Sequence, residues 1–311
     1  MDDDPLHPYR AELRAHCYRM LGSVHDTEDV LQEVALRAWR GRDTFEGRSS
    51  RRTWLHRIAS NACLNELQRK ERRVLPVDVA ERATGAPDLE RRLEIPWLEP
   101  LADDPHQSAE GRESLELAFV AAVQHLTPNQ RAALVMFDVL GFSAVEVAET
   151  MRTSPASVHS TLSRARLVLA DLGPRASQRA ALEDLGPGGQ QELVRRYTEA
   201  LRTHDLAGLL TLLTEDATWS MPPLVGWYAG PAAITSFLLA GPFEVDWRHR
   251  VTTANGQLAV AAYARFDEDR TDHAAYALDV LTVRDGRIAA VTSFLEPSLF
   301  EAFGLPRNVT S

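Results

Sequence analysis

Apolar residues recur with the spacing of an amphipathic helix, about 3.6 residues, over residues 9–21 and 30–39 and again over 50–67. Residues 1–75 are therefore predicted to form one helical unit. The rhythm breaks in 76–112, where Pro76, Pro87, Pro96, Pro100 and Pro105 sit among acidic side chains. Such a composition opposes long helices and packed cores, so this stretch reads as a linker with local structure around IPWLEP. Helical spacing returns in 114–126, 128–140, 143–151 and 155–169, which makes residues 113–172 a second helical domain. Glycine and proline at both ends of 173–189 mark another linker with room for a short helix.

From residue 190 the pattern changes. Two helices, 190–203 and 206–213, precede a short strand at 217–221, a helix near 232–240 and strands at 245–253, 258–266, 274–283 and 288–295. Asn255-Gly256 and Asp285-Gly286 are two-residue hairpin signals between these runs. Helices followed by a curved antiparallel sheet predict a helix-plugged cone around a pocket. The fold class is thus multidomain, two all-α helical domains followed by an α+β cone over residues 190–311.

The formal net charge of -10 argues against a simple nucleic-acid coat, but the charge is unevenly placed. Between Arg42 and Arg73 nine basic residues face four acidic ones, and between Val74 and Arg112 four basic face nine acidic. A basic helix hands over to an acidic linker. The two cysteines, Cys17 and Cys63, form no CxxC and read as small apolar residues in helices. Neither a disulfide, a metal site nor a cofactor is expected. No run of about 18 apolar residues is present to span a bilayer, and MDDDPLHPYR lacks the basic-then-apolar pattern of a signal peptide. A cytoplasmic location without membrane contact is the expectation.

Residues 142–166 have the length and rhythm of a helix-turn-helix, with Val145, Val147, Ala148, Val158 and Leu162 as packing positions. In its turn, MRTSP, Thr153 or Ser154 can cap the second helix, and Pro155 suits the first turn, where a missing N–H costs nothing. That helix would present Ala156, Ser157, His159, Ser160, Ser163 and Arg164 to a major groove. A capped helical hairpin with no DNA role has the same local pattern.

Three segments in combination carry more information: YRMLGSVHDTEDVLQEVALRAWR, FEGRSSRRTWLHRIASNACLNELQRKERR and HLTPNQRAALVMFDVLGFSAVEVAETMRTSPASVHSTLSRAR. They resemble regions 2 and 4 of bacterial sigma-70-type factors of the extracytoplasmic-function group, over roughly residues 9–170. The last domain looks like the SnoaL-like cone of the nuclear-transport-factor-2 type, found as a C-terminal extension of larger such factors. WLEP in the linker and the run from Trp219 to Gly230 resemble one actinobacterial subgroup.

The resemblance implies a factor that binds core RNA polymerase at its clamp helices and flap and recognises the -10 and -35 elements of promoter DNA. Its further implied partners are an anti-sigma factor or a small-molecule ligand of the cone. Polymerase docking falls to Asp26, Asp29, Gln32 and Glu33, a polar edge beside inward-packing Val30, Leu31, Val34 and Leu36. Capture of an unstacked -10 strand needs cations along phosphates and polar or flat groups at bases, each stacked base contributing ~1–3 kcal/mol. Arg48, Arg51, Arg52, Arg57, Asn61, Asn65 and Arg69 fit that need, and Arg69, Lys70, Arg72 and Arg73 fit phosphate contacts that position without specifying. Trp54 reads as at least partly core.

Linker length adds a constraint. The 39 residues from Val74 to Arg112 could extend to ~130 Å but would average ~35 Å as a flexible coil. Promoter elements two helical turns apart lie ~70 Å from each other. A free linker can span them without holding them apart, so a third body must set the spacing.

In the cone, Asp216, Asp246, His249, His273, Tyr276, Asp279 and Glu296 are possible acids and bases, but no spacing among them demands catalysis. HExxH, GxSxG, Walker and dinucleotide motifs are absent from the sequence. Trp219, Met221, Trp227 and Tyr228 fit a pocket or a packed core equally. The leading reading is a promoter-specificity factor, not an enzyme, modulated by its own cone. Its rivals are a pocket enzyme of isomerase or cyclase type with a DNA-binding regulator, and a helix-turn-helix repressor.

Overall fold

Helix starts follow from side chains able to hold the free N–H groups of a first turn. Ser23 Oγ accepts from the Asp26 N–H at 3.2 Å, Ser50 from Thr53 at 3.0 Å, and Ser154 from Ser157 at 3.2 Å. Thr127 with Gln130 and Ser143 with Glu146 form reciprocal capping boxes. In the computed structural model, which describes residues 4–42, 45, 49–104, 114–172, 177–267 and 271–310, the chain divides into two units. One comprises Met1–Arg73 with Asp104–Arg175, and the other Val74–Asp103 with Ala176–Ser311.

The first unit is helical. Helix α1 (Arg10–Leu21) stops at Gly22, whose φ of 67° lets its N–H reach Tyr18 O. Then follow α2 (Val24–Gly41), α3 (Arg51–Leu67), α4 (Leu117–Val123) and α5 (Pro128–Leu134), which runs on into a π turn at Val135–Val139. Helices α6 (Ala144–Met151) and α7 (Pro155–Asp171) are joined through Arg152 at φ 52°. Leu13, Met20, Leu31, Val34 and Leu55 are buried in one cluster, each contributing ~1.5–3 kcal/mol on leaving water. Ala132 and Val135 complete the same cluster, so the two helical domains expected as separate bodies share a core. Cys17 and Cys63 lie fully buried in it, and burial together with the neighbouring Cys17 pushes the Cys63 thiol well up.

The second unit is the α+β cone. Helix α8 (Gln178–Thr203) bends at Gly186 and begins within the stretch expected as a linker, anchored there by Gln178. The Gln178 amide donates to Val283 O at 3.0 Å and accepts from Val283 N–H at 2.6 Å. Next come α9 (Leu206–Leu212), β1 (Leu213–Ser220), β2 (Trp227–Ala229) and α10 (Gly230–Leu239). Strands β3 (Asp246–Ala254), β4 (Gln257–Arg265), β5 (Asp272–Arg284) and β6 (Arg287–Phe294) form a meander, followed by α11 (Leu299–Ala302) and β7 (Asn308–Thr310). The sheet order is β2-β1-β6-β5-β4-β3, with β7 on β5. Asn255 and Gly256, at φ 57° and 70°, and Asp285 and Gly286, at 52° and 70°, form the two tight hairpins. The sheet is mixed where an antiparallel one was expected, because β1 pairs with β6 in parallel.

Val74–Asp103 belongs to the cone unit and lies along it. Ala83 N–H donates to Trp227 O at 2.8 Å, Arg92 N–H to Pro223 O at 3.0 Å, and Leu101 exchanges bonds with Asn255. The Trp227 indole returns a bond to Ala80 O at 2.9 Å. Trp97, Leu98 and Leu101 of the IPWLEP region are buried. The expectation of a flexible coil therefore fails for these residues: their backbone groups find partners on the cone. Among the described residues no helix is long and apolar enough to cross a membrane.

Candidate functional site

Helix α2 presents a stripe of exposed side chains at helical spacing: Asp29, Gln32, Glu33 and Leu36. Two corrections to the expected edge follow. Asp26 is 8% exposed and pairs with Lys70 at 2.6 Å and Arg73 at 2.5 Å, fastening α2 to the chain beyond α3. Burial pushes its carboxyl up, but the hydrogen bonds and charges of Lys70 and Arg73 outweigh this and hold it below the usual range. Leu36, expected to pack inwards, is 56% exposed. It adds an apolar side chain to the stripe that the charged neighbours alone lacked.

Most basic side chains expected on the -10 strand have partners inside the first unit. Arg52 donates from Nε to Glu12 at 2.7 Å and from Nη2 to Leu140 O at 3.1 Å, with its guanidinium over the Phe142 ring. Arg51 donates to Pro5 O, Arg72 meets His125 Nδ1 at 2.7 Å, and Lys70 and Arg73 hold Asp26. Arg57, Asn65 and Arg69 are exposed, whereas Asn61 is half-buried and donates its amide to Arg57 O at 2.9 Å. Arg48 lies outside the described residues. Trp54 is half-buried against Phe45, with ring centroids 5.1 Å apart.

These pairings form part of a polar seam between α1–α3 and α4–α7. Thr53 Oγ1 donates to Glu146 at 3.2 Å, and Arg19 donates to Ser114 Oγ at 2.6 Å. Arg131, 2% exposed, donates to Met20 O, to Gln124 and to Leu126 O. Burial brings both guanidinium groups, Arg19 and Arg131, down to about 10. Burial would raise Glu12, but hydrogen bonds and charge from His56 and Arg52 hold it at about 2. Sequence spacing gives no sign of this seam, since the partners that cross it are 53 to 111 residues apart.

The second helix of the helix-turn-helix differs. Ala156, Ser157, His159, Ser160, Ser163 and Arg164 are all exposed on α7. Val147, Ala148, Val158 and Leu162 are buried beneath, but Val145 is 55% exposed and is not a packing position. Between the two capping residues considered, Ser154 makes the bond.

In the cone, a cavity of about 180 Å³ is lined by Trp219 and Met221 but not by Trp227 or Tyr228. Trp227 faces the linker through Ala80, and Tyr228 is fully buried, stacked on Phe237 at 4.7 Å. His249 of β3, Tyr276 and Asp279 of β5 meet in the same cavity. Such a meeting of acid and base was invisible in the sequence, because a whole strand, β4, separates them. Asp279 Oδ2 accepts from Tyr197 at 2.9 Å, and Ser293 accepts from the Trp219 indole at 3.1 Å. Burial pushes the Asp279 carboxyl up to about 6 against hydrogen bonds from Ser293 and Tyr197. Burial and the charge of Arg248 bring His249 down to about 4, so its imidazole is neutral near pH 7. The other possible acids and bases pair elsewhere: Asp216 with Arg284, Asp246 with Arg265 and His273, Glu296 with Arg91.

Comparison with known proteins agrees with both the helical and the cone segments. Residues 6–73 match the family model "Sigma-70 region 2", 116–169 match "Sigma-70, region 4", and 194–291 match "SnoaL-like domain". The ECF RNA polymerase sigma factor SigG of Mycobacterium tuberculosis is 44% identical over 97% of this chain and 83% of its own. The ECF RNA polymerase sigma factor SigJ of the same organism is 27% identical over 96% of this chain and 93% of its own. The crystal structure of SigJ superposes with a TM-score of 0.63 at 24% identity, covering 96% of this chain and 97% of that one, and so shares its fold. The chain belongs to the ECF sigma factors of the sigma-70 family, with regions 2 and 4 followed by a C-terminal SnoaL-like domain.

Proposed function

We propose that this sigma factor acts in the cytoplasm as a promoter-specificity subunit without enzymatic activity, and that the unit described above is its closed form. The observation that carries the reading is the direct contact of α3 with α5 and α6, made through Arg52 on Leu140 and Thr53 on Glu146. Promoter elements ~70 Å apart cannot be held by helices that touch. Binding to both therefore requires the polar seam to open and the apolar cluster shared with Ala132 and Val135 to part. Core polymerase supplies the opening energy in this reading, docking first on Asp29, Gln32, Glu33 and Leu36 of α2. Opening frees Arg52 from Leu140 and Arg72 from His125, and these join Arg51, Arg57, Asn61, Asn65 and Arg69 on the -10 strand, while the exposed face of α7 reads the -35 duplex. The cone modulates this step by holding Val74–Asp103, the chain that must extend between the two elements.

Run-off transcription with core polymerase tests the reading. Leu36→Asp is expected to reduce holoenzyme formation at least tenfold while leaving the melting curve of the free protein unchanged. Wild-type transcript yield from that variant would sink the docking assignment. A second reading, a pocket enzyme under a DNA-binding regulator, is favoured by the meeting of His249 and Asp279 in one cavity. Loss of transcription in Leu36→Asp would not be expected of it.

A further inference from the structure

We propose that His56 is an acid-sensitive latch on the seam between α1–α3 and α4–α7, shut while its imidazole is neutral and released when the ring takes a proton. His56 of α3 is fully buried, and its ring meets Phe142 of the α5–α6 connection edge-on, with centroids 5.4 Å apart. Behind it His16 of α1, also fully buried, packs edge-on at 5.2 Å. A stack of three rings thus crosses the seam, and two of them are imidazoles.

The surroundings suit a neutral ring. Neither nitrogen of His56 has a hydrogen-bond partner, and Nε2 lies 3.4 Å from Glu12 Oε1. That same oxygen already receives Arg52 Nε at 2.7 Å. Arg52 also sets its guanidinium over the Phe142 ring, 4.9 Å from the centroid. An imidazolium would therefore sit beside a cation that already uses both Glu12 and Phe142. Arg19 of α1 adds a second positive charge, and His16 is bonded to Ser60 Oγ at 2.9 Å instead of to His56. From the other half, Phe142 brings no charge, and Glu146 of α6 is bonded to Thr53 and to its own capping box. Burial lowers His56, Arg52 and Arg19 lower it further, and the pull of Glu12 in the other direction does not reverse this. Burial and the charges of His56 and Arg19 hold His16 well below the ordinary imidazole range.

Parting the halves removes Phe142 from the ring and lets water reach His56, which returns to ~6.5, while His16 stays bonded within the α1–α3 half. Below ~6.5 the open state binds more protons than the closed one, so closure is at full strength above that pH and weakens as pH falls. Glu12, held at about 2, stays ionised throughout. For one imidazole the ratio of open to closed molecules gains at most about tenfold between about pH 7.5 and about pH 5.5. The latch rests on the closed form proposed above.

Single-molecule energy transfer on the intact chain measures that ratio. Dyes are carried on azide-bearing side chains at the exposed positions Arg40 of α2 and Ala170 of α7, which leaves the buried thiols unlabelled. The ratio is expected to rise at least fivefold from about pH 7.5 to about pH 5.5, with helical circular dichroism unchanged. His56→Phe and His56→Tyr keep a ring against Phe142 and take no proton in this range, so in either the rise should fall below twofold. Whichever of the two folds is sufficient. A wild-type ratio constant to within twofold overturns the latch with no variant needed. An undiminished rise in the variants overturns His56 as the sensor, in favour of His125, which meets Arg72 across the same seam. Molecules already open at about pH 7.5 would overturn the closed form itself, which separates that failure from a closed chain indifferent to acid.

Discussion

Helices α3 and α7 each begin on a serine cap, each carry basic and neutral polar side chains, and each face a promoter element in the proposed function, yet their first turns are in opposite states. The α7 face is exposed from Ala156 to Arg164, whereas Arg52 and Thr53 of α3 bind Glu12, Leu140 and Glu146. Charged groups facing water are available to DNA at no structural cost. Those holding a seam must first exchange protein partners for phosphate, so the same residue types have different thresholds for binding. The helix for an opened strand is kept engaged, and the helix for duplex DNA is left free.

The seam that causes this difference breaks most severely at Arg131. Its guanidinium satisfies Met20 O, Gln124 Oε1 and the carbonyls of Gln124 and Leu126, with 2% of the residue exposed. Arg131→Ala leaves these acceptors buried without a donor, a loss expected to cost ~3–5 kcal/mol. Urea unfolding followed by circular dichroism measures it. A loss below about 1 kcal/mol would mean that water replaces the guanidinium and that the seam is weaker than its geometry suggests.

The elements themselves were legible because their signals are local. The cap at Ser154, and the dipeptides Asn255-Gly256 and Asp285-Gly286, act within a few residues of the structure they set. What escaped depends on distant partners. Asp26 matches an exposed acidic edge by spacing, and only the return of Lys70 and Arg73 buries it. Leu36 and Val145 fit apolar helical positions, yet each is more than half exposed. Proline and acidic residues in 76–103 correctly exclude a long helix, but they do not exclude backbone pairing to a sheet rim, because those bonds need no side-chain pattern. His249 and Asp279 converge only once β3, β4 and β5 are in register.

Acid sharpens the comparison next, since carboxylates hold the α3 face. The ordinary carboxylate range is ~4, and Glu12 is held at about 2 by His56 and Arg52 against the upward push of burial. Asp26 is lowered by Lys70 and Arg73 in the same way. A carboxyl depressed in the folded state stabilises above its unfolded value, and the gain is lost as pH falls through the folded one. Stability is therefore expected to decline from about pH 4 towards about pH 2. Glu12→Gln should flatten that decline and, by freeing Arg52, raise affinity for single-stranded -10 DNA. An unchanged acid profile in Glu12→Gln, measured by thermal melts across pH, would remove Glu12 as the group that keeps α3 engaged.

The smallest expected effect separates the two helices at their first turns. Ser50 and Ser154 make the same cap bond, and removing such a cap costs ~1 kcal/mol. Around Ser50, however, the first turn is also fastened by Arg52 to Leu140 and by Thr53 to Glu146. At Ser154 the preceding Arg152 and Thr153 and the following Ala156 and Ser157 are exposed, so the cap stands alone. Ser154→Ala should thus lose ~1 kcal/mol locally and speed amide exchange at Ser157 and Val158 about fivefold. Ser50→Ala should leave exchange at Thr53 and Trp54 nearly as slow as in the wild type. Equal fraying at both ends would mean that the seam contributes nothing to the start of α3, and that the two reading helices are equally free.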